Sequence, residues 1–297
     1  MSRRSLTKLW CLVPVALAIL SAGCQRAPFP QPAPQLEAVA ELRKGGDAAG
    51  GAATAAVSTG TGWGTITGKL AFEGDAPAPR TLPTGGKDPM ACHPEGIQDD
   101  SLIVDSGSKG IKNIVIYDRK VGRINEEYEA KKEEPVVFDQ KGCQFLSHVV
   151  ALRTSQPLEL KNSDPVAHNT SITPPADKGA NPLLPAGKEE KFQFGRQQNV
   201  PVPVTCSIHP WMKAYILPRE NPYFAVTDGA GSFTLDKLPA GEDIDFQVWH
   251  ERANGSQGAL VVPGLTDGQG RFKKKLEPDQ QLDLGALNVP AGNFKLN

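Results

Sequence analysis

The chain lacks any block of like charge. Its 32 Lys and Arg against 33 Asp and Glu leave a net charge of −1, and the two signs are spread along its length, so no basic patch argues for a nucleic-acid partner. It also lacks the short signatures of common catalytic sites. There is no Gly-x-Ser-x-Gly elbow, no His-Glu-x-x-His pair and no Cys-x-x-Cys-His haem attachment. Carboxylates are plentiful, but nothing pairs two of them in a cleft, and the chain reads as a non-enzyme. Helical periodicity is scarce. Long apolar runs are missing too: Trp10 to Leu20 is too short to span a bilayer comfortably.

That apolar stretch follows Arg3, Arg4 and Lys8 and ends Leu20-Ser21-Ala22-Gly23-Cys24. A basic start, a short apolar stretch and small residues are the layout of an export signal, expected over residues 1–24. Cys immediately after the small residues resembles a bacterial lipobox, which implies lipidation of Cys24, although Ser21 stands where Leu is commoner. The paired Arg3 and Arg4 also resemble a twin-arginine signal. Residues 25–62 are rich in Pro, Ala, Gly, Ser and Thr. With few large side chains to bury, they are expected to form a disordered tether, with one short helix over Glu37 to Lys44.

Of the five cysteines, Cys11 belongs to the signal and Cys24 to the anchor. Cys92, Cys143 and Cys206 remain. In an oxidising setting an odd count leaves one special thiol. The simplest assignment is a Cys92–Cys143 disulfide with Cys206 unpaired. Two free buried thiols, or a second metal site, are the alternatives.

From Trp63 onward the pattern turns to short period-two runs separated by Gly and Pro turns. Gly64 to Phe72, Ser101 to Asp105, Lys112 to Tyr117, Val136 to Phe138, Phe145 to Leu152 and Pro157 to Lys161 read as strands. Phe192 to Phe194 and Val202 to Cys206 follow, after a long loop over Asp164 to Glu190. A second series begins at Tyr223 to Thr227, turns at Asp228 to Gly231, and continues through Ser232 to Leu235, Ile244 to His250, Phe272 to Leu276 and Gln281 to Leu287. The expected class is all-β, two sandwiches in one chain.

One stretch carries chemistry. Cys206-Ser-Ile-His209-Pro-Trp-Met212 places a thiolate, an imidazole and a thioether within one loop. Two His and one Cys with a weak axial Met is the donor set of a blue-copper electron-transfer site, and a thioether disfavours zinc. The second imidazole must come from elsewhere, and His168 stands just past a strand in Leu160-Lys161-Asn162-Ser163-Asp164-Pro165-Val166-Ala167-His168-Asn169.

His168-Asn169, a long gap and then Cys-x2-His-x2-Met resemble the cupredoxins, and the short ligand loop resembles that of amicyanin. The resemblance covers Gln144 to Leu217 and implies a Greek-key sandwich holding copper through His168, Cys206, His209 and Met212. It implies that Asn169 ties neighbouring strands together and tunes the sulfur, the alternative being a plain turn residue after a strand, and that an exposed edge of His209 is the electron port. Cys143-Gln-Phe145-Leu-Ser-His148 and Tyr223-Phe-Ala-Val-Thr227 resemble segments of multidomain bacterial lipoproteins labelled methylamine-utilisation or plastocyanin-like. The Asp-Gly-x-Gly and Leu-Pro-x-Gly turns further on resemble small transthyretin-like, or carboxypeptidase-regulatory, sandwiches.

The expected organisation is a cupredoxin-like domain with an N-terminal β extension over 63–219, then a second sandwich over 220–297. The expected role is an exported, lipid-anchored, periplasmic or cell-surface protein passing single electrons between redox partner proteins. Copper storage or delivery, and a metal-free carbohydrate-binding or adhesion module, are the rivals. Trp211 is expected either to rim a docking surface or to pack under the ligand loop. His93 reads as a loop residue. His148 reads as structural, because it and Cys143 are too few for a second metal site. His250 reads as a partner of Glu251 or a residue at a domain contact.

Overall fold

The computed structural model describes residues 60–120 and 122–296. The expected signal, Cys24, the tether up to residue 59 and the helix over 37–44 lie outside the described residues. Among the described residues no helix is long and apolar enough to cross a membrane.

Eighteen strands are described. β1 (Trp63–Glu73) is long. β2 (Thr81–Leu82) and β3 (Ile97–Gln98) pair only with each other, and then come β4 (Val115–Asp118) and β5 (Val136–Gln140). β6 (Val149–Arg153), β7 (Leu158–Asn162), β8 (His168–Asn169), β9 (Ser171–Ile172), β10 (Leu183–Leu184) and β11 (Glu189–Phe192) follow. β12 (Val202–Thr205) and β13 (Lys213–Arg219) flank the ligand loop. β14 (Phe224–Val226), β15 (Ser232–Pro239), β16 (Ile244–Trp249), β17 (Arg271–Lys274) and β18 (Gln281–Pro290) complete the set. Among the described residues one short α-helix, α1 (Glu126–Ala130), is capped by the Asn125 side chain, which accepts from the Glu127 amide at 2.9 Å. The all-β class read from the sequence is the class observed.

Four sheets stack, and period-two alternation explains the stacking. The first has the order β11-β7-β5, the second β6-β13-β12-β9, the third β14-β4-β16-β17 and the fourth β15-β1-β18. Phe138, Leu158 and Leu160 of the first sheet meet Leu152, Ala214 and Ile216 of the second. The alternate residues Val149 and Leu217 meet Val115, Tyr117 and Trp249 of the third sheet. Ile116, Phe246 and Val248, on the other face of the third sheet, meet Ile66, Leu70 and Phe233 of the fourth. The two inner sheets are therefore buried on both faces, which is why all four residues of β4 are buried. Each large apolar side chain so buried contributes about 2 kcal/mol.

The strand pairing corrects the expected domain boundary. β1 lies between β15 and β18, and β4 between β14 and β16. The N-terminal β extension therefore belongs to the second sandwich and supplies an interior strand to each of its sheets. Pairing across about 170 positions follows which apolar faces match, and nothing local records it. Two smaller expectations also change. Residues 101–105 contribute only an isolated bridge, Val104 to Ile111. The expected loop over 164–190 instead carries β8, β9, β10 and part of β11, too short to show alternation. The turn at Asp228 to Gly231 is as read: Asp228 Oδ1 accepts from the amides of Ala230 and Ser232. Gly231 has φ 78°, and a Cβ there would sit 2.2 Å from the Leu70 carbonyl oxygen.

Arg219 ties the sandwiches together. It is buried, donates to the carbonyls of Gln198, Asp118 and Arg119, and lies over the Tyr117 ring. Burial raises the neighbouring Asp118 carboxyl to about 7, with Arg219 opposing the rise.

Candidate metal centre

β12 runs into Cys206, and β13 begins at Lys213, so the hairpin between these paired strands holds the loop 206–212 in a fixed place. The loop is closed by the Cys206 amide donating to Met212 O at 3.3 Å and the Met212 amide to His209 O at 2.9 Å. His168 comes from β8, held against Leu184 of β10. Cys206, His168, His209 and Met212 are all buried, and the Met212 thioether lies in the same apolar cluster as Cys206.

Three donors converge. Cys206 Sγ is 4.0 Å from His168 Nδ1 and 3.9 Å from His209 Nδ1, and the three atoms lie within 4.8 Å of one another. Metal–nitrogen and metal–thiolate bonds of about 2.0 and 2.3 Å meeting near 120° place N and S about 3.8 Å apart. The spacing therefore fits donors that would hold one first-row ion between them, and the soft donor set fits copper.

The outer nitrogens are equally specified. His168 Nε2 donates to Asp164 Oδ2 at 2.7 Å, and His209 Nε2 to Asp88 Oδ2 at 2.9 Å. Each carboxylate holds the proton on Nε2 and leaves the Nδ1 lone pair facing the sulfur. Burial, helped by the nearby His209, lowers the pKa of His168 against the pull of Asp164. A neutral imidazole is the state that binds metal.

One disulfide joins the two carboxylates. Cys92 and Cys143 are bonded, with Cα atoms 5.2 Å apart. On one side the amide of Cys92 donates to the carbonyl of Asp88 at 2.8 Å, in a turn where Asp88 takes φ 45°. On the other side Gly142 and Cys143, at φ 63° and 54°, aim successive amides at Asp164, reaching Oδ1 at 2.6 Å and Oδ2 at 2.8 Å. Paired left-handed residues form such anion-holding nests. The disulfide sulfurs themselves lie within 4.8 Å of a His209 ring nitrogen.

Asn169, the last residue of β8, reaches the ligand loop. Its Oδ1 accepts from Ser207 N at 2.7 Å and from the Cys206 thiol at 3.5 Å, so it joins β8 to the ligand loop and touches the sulfur. Trp211 is half-buried under the loop. It donates from Nε1 to Cys143 O at 2.9 Å, with its ring 5.2 Å from that of His209.

The expected electron port is corrected. His209 has 0% exposure, because the segment around Asp88, pinned by the disulfide, lies over its outer edge. Sequence reasoning missed both carboxylates. Asp164, four residues before His168, left a local signal; Asp88, 121 positions from His209, left none.

Of the other histidines, His93 is an exposed loop residue beside Glu95. His148 bridges the sandwiches. Nε2 donates to Glu251, and Asp100 Oδ2 lies 2.9 Å from Nδ1, outside hydrogen-bonding angles. Burial pulls its pKa down, but the two carboxylates outweigh burial and raise it to about 9. His250 is fully buried, lowered to about 4 by desolvation, with Nδ1 accepting from the Arg252 amide.

No protein-family model matches the chain, and no curated protein matches it. Among solved structures, a Cu-containing nitrite reductase from Thermus scotoductus SA-01 is similar at 23% identity and TM-score 0.27 over 29% of this chain and 22% of that one. A mutant of amicyanin in the reduced Cu(I) form is similar at 12% identity and TM-score 0.26, over 29% of this chain and 82% of that one. An oxidized amicyanin mutant gives the same identity, coverage and score. The chain thus spans about a fifth of the nitrite reductase. Likenesses this slight do not bear on function; the donor geometry does.

Proposed function

We propose that the protein is a mononuclear copper protein that passes single electrons, with His168, Cys206, His209 and Met212 as the residues that would hold the ion. The observation that carries this reading is the convergence of two Nδ1 atoms on Cys206 Sγ at 4.0 and 3.9 Å. Copper bound there supplies a one-electron couple. The chain supplies a dry thiolate, two imidazoles whose rotation is locked by Asp164 and Asp88, and a loop closed at both ends. A rigid donor set changes little between oxidation states, which is what rapid exchange needs.

The protein is further proposed to be exported and lipid-anchored through Cys24 on the periplasmic or cell-surface side, with redox proteins as partners. The Cys92–Cys143 disulfide supports an oxidising compartment. The tether over 25–62 would raise the effective concentration of the domain near those partners.

A second reading, copper storage or delivery, draws support from the shielding of His209 by Asp88, since a carrier of the expected kind exposes that edge. The test is retention. Metal-free protein is loaded with one equivalent of Cu(II), reduced, and dialysed against a Cu(I) chelator. A carrier keeps its copper in both states; release on reduction indicates delivery; failure to bind either ion removes both readings.

A further inference from the structure

Beside the ligand loop lies a cleft of about 910 Å³. Ser207, Ile208, Pro210 and Trp211 line it together with Glu251, Arg252 and Lys295 of the second sandwich. Sites for small molecules occupy roughly 300–1,000 Å³ and combine an apolar wall with a few charged groups. This cleft has that size and that composition.

Its lining carries a net positive charge, although Arg80 is ion-paired with Asp99, and Lys213 and His148 with Glu251. Arg80, Lys87, Lys213, Arg252 and Lys295 line it, against Asp99, Asp100 and Glu251, an excess of two positive charges in a chain whose net charge is −1. His148, also in the lining, adds a third when protonated, as its pKa of about 9 makes it at neutral pH. Clefts of one sign concentrate ions of the other. The indole of Trp211, with Ile208 and Pro210, offers a flat apolar face that an inorganic ion would not use.

The cleft also meets the metal centre where the centre is otherwise closed. Asp88 covers the outer edge of His209, whereas the Trp211 ring lies 5.2 Å from the His209 ring and lines the cleft.

We propose that this cleft binds a small planar organic anion against Trp211, and that the bound anion exchanges one electron with the centre by way of the indole. The binding step stands on the cleft alone; the electron step rests on the copper reading above. With copper(II) held by the four donors, an enediolate such as ascorbate would give up one electron to it, lose its enediol proton to solvent water and depart as its radical.

Binding is tested on metal-free protein by calorimetry with phthalate, a redox-inert dianion with a flat ring. The expected result is one saturable site, with inorganic phosphate binding more weakly. The double variant Lys87→Glu/Lys295→Glu, which changes two exposed side chains, is expected to weaken phthalate binding by about tenfold. No saturable binding, or binding that the double variant leaves unchanged, overturns the proposal. The electron step is tested on copper-loaded protein by the initial rate at which ascorbate reduces it. The rate is expected to saturate with ascorbate and to fall when phthalate competes. A rate linear in ascorbate and indifferent to phthalate overturns that step. Phthalate binding without copper uptake would leave the cleft standing and remove the copper reading; copper uptake without phthalate binding would do the reverse.

Discussion

Asp88 holds His209 by a 2.9 Å hydrogen bond across 121 positions of chain, and in doing so closes the imidazole edge through which a donor set of this kind would otherwise meet its partner. The same carboxylate therefore sets two properties in opposition, the orientation of a ligand and its accessibility.

Replacing Asp88 separates them. Asp88→Ala is expected to weaken copper binding by about 10–100-fold, the usual effect of losing an imidazole's outer partner. It is also expected to raise the electron self-exchange rate by uncovering His209. Copper competition titrations and line broadening in mixed-valence samples measure the two. A variant that loses affinity without gaining rate would show that Asp88 only orients.

Asp164 has a heavier structural load. It accepts from His168, Gly142 and Cys143 while buried. Asp164→Ala strands three donors, so it is expected to cost about 2–4 kcal/mol in urea unfolding of the metal-free protein. Asp164→Asn, which keeps one acceptor oxygen, should cost less. Equal losses would mean that the charge of the carboxylate, which both variants remove, matters more than the number of acceptors.

The disulfide closes a loop of 51 residues. In the chain-entropy account this contributes about 4 kcal/mol. Replacing both Cys92 and Cys143 with Ser should lower stability by up to that amount and free the segment bearing Asp88. Amide exchange across residues 84–96 is expected to quicken together with the loss of stability. Unchanged exchange there would place the clasp elsewhere.

Two buried histidines make the stability of metal-free protein depend on pH in opposite senses. His148 is raised from 6.5 to about 9. Its contribution is fully present below pH 6.5 and is lost as pH rises to 9, amounting to about 3 kcal/mol at most. His250 is lowered from 6.5 to about 4, so the unfolded chain takes up its proton first and stability falls between pH 6.5 and 4. Taken alone these two contributions peak near pH 6.5; Asp118, raised from 3.8 to about 7, adds stability as pH falls below 7 and offsets the acid loss. His148→Gln should flatten the alkaline limb and leave the acid limb in place, which unfolding midpoints across pH 4–9.5 will show.

Legibility in the sequence followed range. Cys206, His209 and Met212 are readable because one loop carries all three, and His168-Asn169 because a strand and turn set its context. The period-two runs are readable because alternation is local, and β6, β7 and β16 lie close to where it puts them. The partners of β1 are not readable, since its register against β15 and β18 is decided by faces far apart in the chain. Asp88 is hidden for the same reason: a lone acid in a Gly-rich loop carries no mark of the imidazole it will meet.

The central claim is that four side chains hold one copper ion through a thiolate. The most direct measurement is the visible spectrum of the chain from Gly62 onward after one equivalent of Cu(II). An intense thiolate-to-copper band is expected, abolished in Cys206→Ala and shifted in Met212→Gln. A colourless protein that retains no copper after dialysis would contradict the account.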